Sequence, residues 1–79
     1  MNAELNRLRW RCQRGMLELD HILHGFLERR YATAPEPVRA AFATLLEMED
    51  ADLFDLVMGR RAPATSEQAG LLALIRGPY

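Results

Sequence analysis

Apolar residues in this chain recur with a period near 3.6 from one end to the other, and no segment of useful length alternates as a strand does. Helices are therefore the only regular elements open to it. The widest stripe is Leu19, Ile22, Leu23, Phe26 and Leu27, at i, i+3, i+4, i+7 and i+8, which predicts a helix from about 17 to 32. Gly25 inside it costs up to about 1 kcal/mol against alanine, and a helix packed closely across that point would explain it. Before this stripe, Leu5, Leu8 and Cys12 predict a first helix over about 3–13, with Gly15 as its stop. After it, Ala34-Pro35-Glu36-Pro37 is a connector, because proline suits a first helical turn and disfavours helix in the residue before it. A third helix carries Val38, Phe42, Leu45 and Leu46. Asp50 reads as the N-cap of a short fourth helix with Leu53, Phe54, Val57 and Met58 inward, closed by Gly59. Residues 60–63 form a loop, and Thr65 with Gln68 spells a capping box for a fifth helix. Leu71, Leu72 and Ile75 are its core face, and Gly77-Pro78 ends it. The expected fold is all-α, a compact bundle of five short helices in one domain spanning residues 1–79.

At 79 residues, roughly 60–65% of the unfolded surface can be buried, so one core is possible and stability should be modest. A hydrophobic fraction of 49% with 27% charged residues places the chain well inside the globular regime. The net charge of −1 argues against a dedicated nucleic-acid binder with its basic footprint. All ten cationic residues are arginine. GC-rich codon usage accounts for that simply; the functional reading is that arginine's fork suits interfaces. Charge is also unevenly placed. Arg7, Arg9, Arg11 and Arg14 against Glu4 give residues 1–14 a net +3, while Glu47, Glu49, Asp50, Asp52 and Asp55 give residues 47–55 a net −5. Such bipolarity steers a chain onto a partner of mixed charge, or simply marks two solvated helix ends.

Cys12 is the single cysteine, which excludes an intrachain disulfide and a thiolate metal cage. Its helical core spacing reads as an inert buried thiol. No apolar run approaches the ~20 residues of a membrane helix. The first residues lack a signal peptide's apolar stretch, and Glu4 without serine argues against a transit peptide. A bacterial cytoplasmic protein is expected.

Chemistry concentrates, if anywhere, in Arg14-Gly15-Met16-Leu17-Glu18-Leu19-Asp20, a polar knuckle between two helices. Read alone, Arg14 and Glu18 are an i,i+4-like surface pair across the junction. Trp10 lies off the Leu5/Leu8/Cys12 stripe, so it is either a partly exposed interface anchor or a small second core contact. Met16 is a core residue or an adaptable contact. His21 and His24 with Glu18 and Asp20 lack an obvious third strong ligand, which argues against a metal, and Asp20 with His24 reads as an exposed i,i+4 pair. No Ser/His/Asp set, phosphate loop or dinucleotide fingerprint is present, so neither an enzyme nor a stably held cofactor is expected.

The knuckle and its company resemble the SdhE/YgfY family, small assembly factors for the flavoprotein subunit of succinate dehydrogenase. The signature Arg-Gly-x-x-Glu is Arg14, Gly15 and Glu18. Trp10-x-Cys12 precedes it, Leu19-Asp20 follows, and Leu45-Leu46-Glu47 and Asp52-Leu53-Phe54 complete a likeness running from about 8 to 74. Many relatives carry tryptophan two residues after the last segment, where this chain has Leu56. The resemblance implies an all-α fold and a factor that promotes covalent attachment of FAD to that subunit, with the fumarate reductase flavoprotein as a further client. It implies docking by Arg14, Gly15 and Glu18 near the flavin site, extended by Trp10, Met16 and Asp20. Such a factor need do no chemistry, since orienting the reacting groups suffices. Two readings from other classes stand beside it: an antitoxin-like regulator that binds a small membrane protein, and a direct FAD carrier. A monomer is expected, as no long heptad seam is exposed.

Overall fold

The computed structural model describes residues 3–76. Among them are five α-helices, α1 (Ala3–Arg11), α2 (Leu17–Arg29), α3 (Glu36–Leu45), α4 (Asp50–Val57) and α5 (Ser66–Arg76), with one 3₁₀ turn (Tyr31–Thr33) and no strand. The expected all-α bundle is what forms, with shifts at several helix ends. α1 stops two residues early, so Gly15 sits inside a linker rather than against a helix end.

α2 also ends before residue 32. Arg30 still donates its N–H to the Phe26 carbonyl at 2.9 Å, but its φ of −126° leaves the helix, and the chain tightens into the 3₁₀ turn. Ala34 then takes an extended φ/ψ of −74°/147°, the conformation forced on a residue that precedes proline. Asp50 is the first residue of α4 rather than its N-cap; Glu49 holds the cap position, without a side-chain cap bond. A carboxylate one residue inside the helix start still favours the positive end of the dipole.

The two local stops are built as their residues require. Gly59 has φ +83°, and its N–H donates to the Leu56 carbonyl while that of Arg60 donates to Asp55, the paired bonds of a Schellman ending. At α5 the Gln68 N–H donates to Thr65 Oγ1 at 3.0 Å; the Gln68 amide reaches back to Ala64 N–H at 2.6 Å, one residue beyond the usual box. The expected stop at Gly77-Pro78 lies outside the described residues.

α5 packs against α2, α3 and α4, and α1 packs on α2. The core joins Leu8 and Cys12 to Leu19, Leu23, Phe26 and Leu27, to Phe42, Leu45 and Leu46, and to the apolar faces of α4 and α5. On α4 the inward set is Leu53, Leu56 and Val57, while Phe54 and Met58 are only partly buried. The i, i+3, i+4 geometry puts Leu53 at the centre of that face with Leu56 and Val57 on its two flanks, and Phe54 at its edge lies under the Arg60 guanidinium, 5.4 Å from the ring centroid. The Cα radius of gyration is 11.5 Å, close to the ~11.6 Å of a compact chain of this size.

Candidate docking surface

Gly15 has φ +76°, in the left-handed region that glycine alone enters without penalty. Nothing lies within 4 Å of where its Cβ would be, so glycine is needed here by the backbone and not by crowding inside the molecule. The reversed turn aims two successive N–H groups at one carboxylate. Asp20, on the first turn of α2, accepts from Arg14 N–H through Oδ1 at 2.8 Å and from Gly15 N–H through Oδ2 at 3.1 Å. Successive amides converging on an anion form a nest. Asp20 therefore turns back onto the linker rather than forward to His24.

The Arg14 side chain runs the other way, inward. Its Nε donates to the Arg11 carbonyl at the end of α1 at 2.7 Å, and Nη1 donates to the Met48 carbonyl at 2.8 Å and to Asp50 Oδ1 at 3.1 Å. Nη2 donates to the carbonyl of Leu46, the residue that closes α3. One guanidinium thus satisfies the ends of α1 and α3 and grips the start of α4, with cationic charge where helix C-termini favour it. Only 12% of the side chain is exposed. The surface pair with Glu18 does not form; Arg14 is paired with Asp50 instead.

The same turning inward explains the bipolar charge. Arg11 approaches Glu47 at 3.9 Å and Arg14 meets Asp50, so the basic start of the chain is folded against the acidic segment. Arg61 and Arg60 approach Asp52 and Asp55 at 3.4 and 3.9 Å. Arg9 bonds Glu28 across α1 and α2 at 3.0 Å, which lowers the Glu28 carboxyl below its ordinary range and raises the guanidinium. Most of these pairs are solvent-exposed, and each contributes little to stability.

Facing outward are Trp10, Gly15, Leu17 and Glu18. Trp10 is 75% exposed and Leu17 89%, the exposed large hydrophobic side chains among the described residues. Met16, half-buried, packs against the core. Of the six expected site residues, then, Trp10, Gly15 and Glu18 present themselves to solvent, Arg14 and Asp20 are engaged within the molecule, and Met16 sits between. Leu17 went unmarked in the sequence. Its signal was present, since it lies two residues before Leu19 and so falls outside the apolar stripe of α2.

Little at the junction suits covalent chemistry. Cys12 is fully buried, and burial pushes its thiol up to about 12, with Arg14 nearby acting weakly in the other direction. A thiol held protonated is a poor nucleophile. Among the described residues no group of three or more His, Cys, Asp or Glu side chains is placed to hold a metal ion, and no helix is long and apolar enough to cross a membrane.

Comparison with known proteins identifies the family of the sequence. Residues 6–78 match the family described as "Flavinator of succinate dehydrogenase". A protein of Xylella fastidiosa named FAD assembly factor SdhE is 43% identical over 74 residues, covering 94% of this chain and 76% of its own. Proteins with the same name from Methylococcus capsulatus and Shewanella oneidensis are each 38% identical, over 94% and 90% of this chain and 89% and 87% of theirs. No solved structure matches the chain. A family match over nearly the whole length, with relatives this similar across most of theirs, means that the chain belongs to the family of succinate dehydrogenase flavinators.

Proposed function

We propose that this chain is an assembly factor that binds the flavoprotein subunit of succinate dehydrogenase and promotes covalent attachment of FAD to it. The family match over residues 6–78 carries this reading. The exposed Trp10, Gly15, Leu17 and Glu18 around a fixed turn supply a surface of the right kind: apolar anchors beside a carboxylate and an unobstructed stretch of backbone. The factor acts without chemistry of its own. By holding the flavoprotein and its flavin in a reactive arrangement it lets the partner attach its own cofactor, and orientation is sufficient to account for a large rate effect. It works as a cytoplasmic monomer, keeps no FAD of its own, and extends to the related flavoprotein of fumarate reductase.

The test is expression of the flavoprotein subunit with and without this chain, followed by denaturing gel fluorescence for covalent flavin. Strong fluorescence only in the presence of the chain is expected. Equal flavin in both lanes would remove the proposal. The fumarate reductase flavoprotein in a parallel lane reads the client range.

A further inference from the structure

The signature arginine and the aspartate six residues after it do not point where the exposed residues point. Asp20 binds the Arg14 and Gly15 amides, and the Arg14 guanidinium is taken up by the carbonyls of Arg11, Leu46 and Met48 and by Asp50. Neither side chain has its charged end turned to a partner. Yet both hold the turn that presents Gly15, Leu17 and Glu18: Asp20 fixes the backbone from the α2 side, and Arg14 fastens it to α3 and α4. We infer that Arg14 and Asp20 are positioning residues, which set the knuckle from within, and that partner contact falls to the residues it presents, Gly15, Leu17 and Glu18, together with the exposed Trp10 of α1. This rests on the reading of the chain as a flavoprotein-binding factor.

The two roles are separable because a guanidinium doing this work is not replaceable by a positive charge alone. Lysine would keep the charge at position 14, but a single ammonium does not span carbonyls of two helices and a carboxylate. If Arg14 instead met an acidic patch on the partner, lysine would serve it nearly as well.

Three measurements decide it, each on the full chain. In the free protein, the Arg14 and Gly15 amides should be protected from hydrogen exchange, and Asp20→Asn should speed their exchange roughly tenfold while leaving the Phe26 and Leu72 amides unchanged. Titration with the flavoprotein subunit should shift the Gly15 and Glu18 amide resonances and leave the Arg14 Nε–H resonance in place. Finally, Arg14→Lys should bind the subunit roughly tenfold more weakly at a temperature where its circular dichroism is native, and with the same salt dependence as the parent. Unprotected Arg14 and Gly15 amides in the free protein would overturn the inference, as would Arg14→Lys binding within twofold of the parent. So would an Arg14 Nε–H shift as large as that of Glu18. Should the parent chain not bind the subunit at all, the functional reading fails, while the exchange measurement still decides whether Asp20 sets the turn.

Discussion

The rings of Phe26 and Phe42 lie with centroids 4.7 Å apart and planes tilted by 42°, and both side chains are fully buried. This contact joins α2 to α3, and Tyr31 extends it, with its ring 5.8 Å from that of Phe42. Tilted aromatic pairs add about 0.5–1.5 kcal/mol to the burial of their surface. In a bundle of short helices, few of which would persist alone, tertiary contacts of this kind supply most of the helical stability.

Phe26→Ala should therefore cost roughly 3–5 kcal/mol. A chain of this length has only about 4–12 kcal/mol in total, so the variant should lose roughly a quarter or more of its stability and its urea midpoint should fall steeply. Urea titration followed by circular dichroism checks this; a loss under about 1 kcal/mol would mean that the core collapses onto the cavity.

Cys12 makes a prediction about pH. Its folded thiol is raised to about 12 from an ordinary value of 9.0, chiefly by burial. A raised folded value means that the contribution is fully present below pH 9 and is lost as pH climbs toward 12. Tyr31 is raised too, by burial first, and acts in the same direction from about pH 10. Stability to urea should fall between pH 9 and pH 10, and Cys12→Ala should flatten that first part of the decline. The native thiol should also resist alkylation at neutral pH and react at once when unfolded.

How much of this was readable beforehand divides by distance along the chain. The capping box of Thr65 and Gln68 and the stop at Gly59 involve neighbours within a few residues, and both form. The core faces follow from the 3.6 period, with Leu56 replacing Phe54 and Met58 once the direction of α4 is fixed. Arg14 was not readable. Its partners Leu46, Met48 and Asp50 lie 32 to 36 residues away, and no local pattern tells an arginine that caps a distant helix from one that faces a partner. Asp20 was misplaced for a related reason: i,i+4 spacing to His24 is visible in sequence, whereas the turn that brings two amides to its carboxylate depends on the φ of Gly15.

Trp10 is the chain's one tryptophan and is largely exposed. Trp10→Ala should leave stability within about 0.5 kcal/mol and weaken binding of the flavoprotein subunit by about 2 kcal/mol or more. A 5-fluorotryptophan label should report a solvated ring in the free protein and a shifted, broadened signal in the complex. Leu17→Glu should behave alike, stable but weak in binding. A Trp10→Ala variant that binds normally would place the contact elsewhere.

Position 15 separates conformation from contact most cleanly, because both alanine and arginine there meet the same φ of +76° and the same open space. A left-handed non-glycine residue costs about 1–2 kcal/mol, which in a domain this small lowers the melting temperature by roughly 4–16 °C. Gly15→Ala and Gly15→Arg should therefore melt close to one another and well above Phe26→Ala. They should differ in function. A methyl group leaves much of the backbone approachable, so Gly15→Ala should retain part of its flavinylation, whereas the long arginine side chain stands where the partner must come and should abolish it. Glu18→Ala should reduce flavinylation without any comparable loss of stability, since it removes one exposed acceptor. The paired readout is covalent flavin per flavoprotein subunit beside a melt of each variant. If the alanine and arginine variants fail equally, the left-handed turn itself is what the partner requires. If Gly15→Arg flavinylates normally, the knuckle is not the docking surface, and the glycine serves only to turn the chain from α1 into α2.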